Sequence, residues 1–214
     1  MKTAVIIPAA GTGSRMGTEK QLLQLSGKPV LARTIEAFEA HDEIDDIIVV
    51  SKHKLTGYKK VRATIPGGET RQASVREGLK ALADDVAWVL IHDGARPLVT
   101  QQAISAVLGY VRRGYSAVSG VKAKDTVKIT DENNIITATP NREATWLVQT
   151  PQGFPREIIT EAHKQDFIGT DDAMLVERMG VAVRMVEGDY RNIKLTTPED
   201  ILLAESFLHK EGSH

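Results

Sequence analysis

Directly after the first apolar run, the segment Pro8-Ala9-Ala10-Gly11-Thr12-Gly13-Ser14-Arg15-Met16-Gly17 strings small residues together, with Arg15 inside it and Lys20 just beyond. The chemistry such a loop supports is phosphate binding: backbone amides left uncovered by small side chains close around phosphate oxygens. Its spacing departs from two familiar loops. The third glycine is displaced from the dinucleotide fingerprint G-x-G-x-x-G, and no Gly-Lys-Ser/Thr ends it as in a Walker loop. Arg15 and Lys20 supply separate positive charges instead. A glycine turn alone often serves only chain reversal, so the two cations carry the inference. Lys28 competes for the role, but in Gly27-Lys28-Pro29 it stands where the loop turns into the next helix, outside the site.

Two further segments hold reactive side chains. Asp93 follows the apolar run 87–91, and a carboxylate at a strand end projects into the crevice, where it can help hold magnesium or order hydroxyls. His92 has no second histidine or cysteine beside it, which suits packing or hydrogen bonding and not metal ligation. The segment Gly67-Gly68-Glu69-Thr70-Arg71-Gln72-Ala73-Ser74 precedes a helical pattern, with Ser74 placed to cap that helix or to reach a ligand.

The elements that must position these residues follow from hydrophobic periodicity. Short runs rich in valine and isoleucine at 4–7, 47–50, 87–91, 116–121 and 181–186 read as buried strands. Leu31, Ile35 and Phe38 share one helical face, as do Val75, Leu79 and Leu82, and then Ile104, Val107, Leu108 and Val111. Alternation of this kind implies an α/β fold: one mostly parallel twisted sheet flanked by helices, Rossmann-like. In such sheets ligands bind beyond the carboxyl ends of the strands.

One segment breaks the alternation. Residues 125–129, a turn through 131–134 and residues 135–137 read as a hairpin with too few apolar residues for a core. We expect residues 1–214 to form a single domain, with 123–144 projecting as an arm that a twofold partner covers.

Composition narrows the classes further. The 214 residues carry 27 basic and 28 acidic side chains, a formal net charge of -1, so no chain-wide field draws the protein to nucleic acid or anionic membrane. With no cysteine, thiolate chemistry and disulfides are excluded. No apolar run reaches the roughly 18 residues of a membrane helix, and the stretch 4–10 is too short for a signal peptide. A cytoplasmic location and small-molecule partners are expected.

Several motifs together carry a resemblance. PAAGTGSRM followed by EKQLLQLSGKPVL, then HDGARP at 92–97, TPQGF at 150–154, TDD at 170–172, and NIKLT with PED at 192–200, resemble the 2-C-methyl-D-erythritol 4-phosphate cytidylyltransferase family nearly end to end. The family's fold is glycosyltransferase-A-like. Its reaction is attack by the acceptor phosphate on the α-phosphorus of CTP. Diphosphate leaves, giving 4-diphosphocytidyl-2-C-methyl-D-erythritol in non-mevalonate isoprenoid biosynthesis.

The resemblance implies site roles. Arg15 and Lys20 contact the triphosphate and stabilise the charge gathering at phosphorus. Pro8, Ala9, Ala10, Gly11, Thr12, Gly13, Gly68, Arg71, Ser74 and Ala95 surround the nucleotide. Asp93, Arg96, Thr126 and Thr150 bind the acceptor, and Arg142 with Lys194, from a late strand, orient its phosphate. Thr126 and Arg142 are expected to act across a homodimer. Mg2+ is the expected cofactor, with Asp93 as its candidate ligand. Ribitol-5-phosphate cytidylyltransferase shares the loop and the HDxxRP and TPQ elements and stays open as the alternative. A non-catalytic nucleotide sensor stays open as a remote one. A dinucleotide oxidoreductase fails, because the second strand ends in Val49-Val50-Ser51-Lys52 with no acidic residue.

Overall fold

The computed structural model describes residues 1–11, 23–53 and 55–211. Its centre is β1 (Lys2–Pro8), whose consecutive side chains Ala4 to Ile7 are all fully buried. Alternating side chains leave opposite faces of a strand. Val5 and Ile7 therefore join one core with α1 (Val30–Glu39) and α3 (Gln101–Val111), while Ala4 and Ile6 join the other with α2 (Arg71–Lys80) and α4 (Arg156–Lys164). Each fully buried aliphatic side chain of this kind contributes about 1.5–3 kcal/mol, which is why β1 reads as an unbroken apolar run.

Parallel β4 (Asp46–Val50) and β6 (Val86–Ile91) flank β1. The sheet continues outward through β5 (Val61–Ile65) on one side, and through β10 (Trp146–Pro155), β7 (Ser116–Lys122) and β11 (Val183–Glu187) on the other. Its seven strands run β11-β7-β10-β6-β1-β4-β5, and only β10 is antiparallel to its neighbours. The result is a single α/β domain. A short β2–β3 hairpin (Gln24–Leu25, Lys28–Pro29) and α6 (Pro198–Glu211) close a third apolar cluster around Leu25, Val30, Leu195 and Ala204. Lys28 is tied to Glu36 of α1 at 2.6 Å. No helix among the described residues is long and apolar enough to cross a membrane.

The last predicted strand begins at Val183, two residues later than its apolar run. Two strands of the seven-stranded sheet have no counterpart among the apolar runs. β5 is an edge strand without a fully buried residue. β10 holds the buried polar residues Gln149, Thr150 and Gln152 and also Pro151, which cannot donate to a ladder. Its pairing to β7 skips from Val148 to Gln152, so the missing donor falls in the break.

Gly153 shows how tightly β10 is packed. A Cβ there would stand 2.6 Å from both Val107 Cγ1 and Val111 Cγ2 and 2.8 Å from Leu90 Cδ2. Overpacking of this kind costs about 1–3 kcal/mol, so Gly153→Ala is expected to lower the midpoint of thermal unfolding by several degrees. An unchanged Tm would show that the α3 contact relaxes freely.

The hairpin forms as expected but with shorter strands, β8 (Ile129–Thr130) and β9 (Ile136–Ala138), separate from the main sheet. Asp131 Oδ1 accepts from the backbone N–H groups of Asn133 and Ile135, and Asn134 turns the chain at φ 63°. Ile129, Ile135 and Ile136 are exposed, as are Leu147 and Val148 on the adjoining part of β10.

Candidate active site

The crevice lies at the carboxyl ends of β1, β4 and β6, where the chain first steps to β4 on one side of β1 and later to β6 on the other. Pro8, Ala9, Ala10 and Gly11 leave β1 here, with Ala9 N–H donating to Val50 O at 2.8 Å. Thr12, Gly13, Arg15 and Lys20 lie outside the described residues. Gly67 closes directly on this turn: a Cβ there would sit 2.3 Å from Ala10 Cβ and 2.7 Å from Ser74 Oγ. The Gly67 backbone thus meets the Ala10 and Ser74 side chains with no room for a side chain of its own. Gly68 is equally confined, against Ala73 Cβ at 2.5 Å.

The helix cap differs from the one expected. Thr70 is the N-cap of α2, its side chain accepting from Ala73 N–H. Ser74 lies one turn inside the helix, buried, donating its hydroxyl to Thr70 O at 3.0 Å. Capping falls to Thr70 because α2 starts at Arg71, which puts Arg71 in the first turn, aimed along the crevice toward Asp93.

Asp93 is the hub. Arg71 Nε donates to its Oδ1 at 2.9 Å, Lys194 Nζ stands 2.8 Å from Oδ2, and Arg96 Nε lies 3.7 Å from Oδ2 as an ion pair. Burial alone would push the Asp93 carboxyl up. The Arg71 and Lys194 cations overcome that and hold it well below the usual carboxylate range. Arg71 also forms an ion pair through Nη1 with Asp172 Oδ2 at 2.8 Å. Burial opposes its charge, but Asp172 and Asp93 outweigh burial and raise its pKa. Three cations therefore face two carboxylates, a corner suited to an anionic ligand.

Lys194 reaches this corner from an irregular segment and not from a strand. The segment is tied down at both ends. Leu195 N–H donates to Ala95 O at 2.9 Å, and buried Asn192 donates to Thr150 O at 2.8 Å while accepting from Arg96 Nη1 on its own carbonyl at 2.7 Å.

Beneath Asp93 runs a closed hydrogen-bond chain. Thr150 Oγ1 accepts from Asp93 N–H at 3.1 Å and stands 3.0 Å from His92 Nδ1, while His92 Nε2 stands 3.0 Å from Arg96 O. A carbonyl only accepts, so Nε2 carries the proton and Nδ1 accepts from the threonine hydroxyl. Thr150 thus holds the Asp93 backbone. His92 is fully buried and packs on Phe38, and burial pulls its pKa down to about 4.

That shift has a definite pH signature. Between pH 6.5 and about 4 the unfolded chain protonates this imidazole and the native chain does not, so stability falls on acidification. The gap of about 2.5 units corresponds to roughly 3 kcal/mol. The midpoint of urea unfolding is expected to fall across this window, and His92→Gln should flatten the slope. Burial lowers His41 as well, so the difference between parent and variant isolates His92.

Thr126 and Arg142 sit on the arm. Both are exposed, and Arg142 reaches Lys124 O at 3.4 Å and Glu143 at 4.0 Å; neither is bonded to the Asp93 corner. Four residues with no role assigned from sequence prove central: Asn192, Gln152, Asp172 and His163. Gln152 Oε1 accepts from the backbone N–H groups of Asp172 and Ala173 and its amide donates to Asp171, docking α5 (Asp172–Arg178) onto β10. The TPQGF, TDD and NIKLT segments were the signal for three of these. His163 had none.

As a magnesium ligand, Asp93 would have to exchange one of its cations for the ion. The described residues contain no cluster of three His, Asp or Glu side chains, so they do not cage a divalent ion.

The family model described as 2-C-methyl-D-erythritol 4-phosphate cytidylyltransferase matches residues 3–210. Relatives bearing that name from Geobacter metallireducens and Desulforamulus reducens are 47% and 46% identical. They cover 99% and 97% of this chain and 99% and 96% of their own. The solved structure of 4-diphosphocytidyl-2C-methyl-D-erythritol synthase from Anaerococcus prevotii superposes with a TM-score of 0.86 at 34% identity, covering 97% of this chain and 96% of its own. The 2-C-methyl-D-erythritol 4-phosphate cytidylyltransferase of Thermus thermophilus superposes at 0.82 and 35% identity, covering 98% and 100%.

Proposed function

Because the chain belongs to the 2-C-methyl-D-erythritol 4-phosphate cytidylyltransferase family, we propose that its crevice transfers CMP from CTP to the phosphate of 2-C-methyl-D-erythritol 4-phosphate. The chain is a nucleotidyltransferase. The observation that carries the assignment of the site is the convergence of Arg71, Arg96 and Lys194 on Asp93 beside the Gly67–Ala10 contact.

The chemical problem is the meeting of two anions. Each pair of unit charges about 4 Å apart repels by about 1 kcal/mol in water and about 4 kcal/mol near a protein surface, and several pairs act at once. A fixed cationic corner removes much of that cost before reaction and aligns the reacting atoms. Lys194, half exposed, is the cation we assign to the attacking phosphate, with Arg96 beside it. Arg71, in the first turn of the helix that follows Gly67 and Gly68, is assigned to the nucleotide, and Arg15 and Lys20 to the triphosphate. Asp93 positions Arg71 and Lys194 relative to each other. The acceptor phosphate is already a competent nucleophile, so no side chain has to take a proton. Magnesium, for which Asp93 is the candidate protein ligand, would supply charge neutralisation for the leaving diphosphate.

The first test is diphosphate release from CTP with 2-C-methyl-D-erythritol 4-phosphate, beside ribitol 5-phosphate and beside ATP, GTP and UTP. Turnover with ribitol phosphate in preference would keep the chemistry and overturn the acceptor.

We further assign the arm, residues 123–144, to a homodimer in which Thr126 and Arg142 reach the partner's crevice. The exposed Ile129, Ile135, Ile136, Leu147 and Val148 support it, since an uncovered two-stranded hairpin is marginally stable. Replacing 127–138 by a short glycine-serine turn is expected to give a monomer with little activity. A monomer of full activity would sink this assignment.

A further inference from the structure

We propose that His163, remote from the crevice, is a positioning residue that acts through Asp172 to fix how Arg71 divides its guanidinium between two carboxylates. His163 lies in the last turn of α4, buried, with Nε2 3.0 Å from Asp172 Oδ1. Asp172 Oδ2 forms an ion pair with Arg71 Nη1 at 2.8 Å, and Arg71 Nε donates to Asp93 Oδ1 at 2.9 Å. One line of polar contacts thus runs from the back of the helical layer to the carboxylate that also holds Lys194.

The division of oxygens is what His163 decides. A guanidinium beside a carboxylate prefers two parallel N–H bonds to both oxygens. With Oδ1 held by the imidazole, Asp172 presents Oδ2 alone, so Arg71 keeps Nη1 on Asp172 and Nε free for Asp93. Without that donor, Oδ1 becomes a buried acceptor lacking its imidazole partner, and the nearest cation able to satisfy it is Arg71. The guanidinium would then turn toward Asp172 and away from Asp93. The remaining anchors of Asp172 act only on its backbone, through Gln152 Oε1 at 3.2 Å and the Asp171 cap of α5. The side chain is left to His163 and Arg71.

This inference rests on the assignment of Arg71 to the nucleotide, and its test is a binding measurement that needs no acceptor. Calorimetric titration of CTP with magnesium is compared among the parent, His163→Leu, His163→Asn and His163→Gln. Glutamine carries its amide nitrogen near the position of Nε2, whereas asparagine is polar but too short to reach Asp172. The expected result is a Kd raised about tenfold in His163→Leu and His163→Asn, within about twofold of the parent in His163→Gln, and no further loss on adding His163→Leu to Arg71→Ala. A parental Kd in His163→Leu or His163→Asn, whatever its Tm, makes the histidine a packing residue and overturns the proposal. So does a tenfold loss in His163→Gln, or an undiminished effect in the Arg71→Ala background. If the parent itself binds no CTP, it is the nucleotide assignment that fails.

Discussion

Asp93→Asn is expected to lower kcat/KM by at least about 100-fold, close to 3 kcal/mol of transition-state stabilisation, while preserving the shape of the crevice. The substitution keeps the side chain's size and removes its charge. Arg71, Lys194 and Arg96 then face an amide, and the amide N–H group points a donor at a cation. Mutual repulsion spreads the three cations, and the geometry we assign to the two phosphates is lost with them. The same change should destabilise the fold by about 3–5 kcal/mol, the usual cost of removing one partner from a buried ion pair.

Its pH signature separates it from His92. The folded-state pKa of Asp93 is depressed, so its contribution is fully present above the unfolded value of about 3.9 and is lost only as pH falls further. The stability gap between parent and Asp93→Asn should therefore stay constant from neutral pH to about 5, an interval in which the His92 slope has already begun below pH 6.5. Steady-state kinetics and urea unfolding at three pH values check both halves. A variant of parental kcat/KM would mean that the cations hold their places without the carboxylate.

Arg71→Ala is the second large effect. It leaves the Asp172 side chain, almost wholly buried, with His163 as its remaining partner among the described residues, and it takes from Asp93 one of its two closest cations. A destabilisation of about 3–5 kcal/mol and a loss of 100-fold or more in kcat/KM for CTP are expected. Arg71→Lys should recover little of either, because one ammonium cannot span two carboxylates that the guanidinium fork bridges through separate nitrogens. Thermal unfolding with kinetics at saturating acceptor tests this. Full rescue by lysine would show that charge alone, without the fork, is what the corner needs.

The residues explain how far the sequence could be followed. β1, β4, β6 and β7 are legible because strands buried on both faces are apolar at most positions, and α1 and α3 because one face of each meets the sheet. β10 is illegible for the opposite reason. Its polar residues are buried as deeply as the apolar ones, satisfied by partners from distant parts of the chain: Gln149 by Asp189, Thr150 by His92 and Asp93, Gln152 by the start of α5. Nothing local distinguishes such a strand from a loop.

The site divides in the same way. Asp93 could be placed from its position after an apolar run, and Arg71, Arg96 and Lys194 from the motifs around them. That Lys194 comes from an irregular segment, that Thr150 works beneath Asp93, and that Thr70 and not Ser74 caps α2 all depend on which groups fold against which.

By itself the sequence determined the α/β layering, the crevice at the strand ends and the cationic character of the site. These follow from periodicity and residue type, which act over a few neighbouring positions. Only the tertiary structure decided that β10 enters the sheet and that Arg71 is shared between Asp93 and Asp172 with His163 behind it. Those contacts join residues 9 (His163 and Asp172), 22 (Arg71 and Asp93) and 101 (Arg71 and Asp172) positions apart, and the cost of burying a polar group without a partner, which selects them, is paired across space and not along the chain.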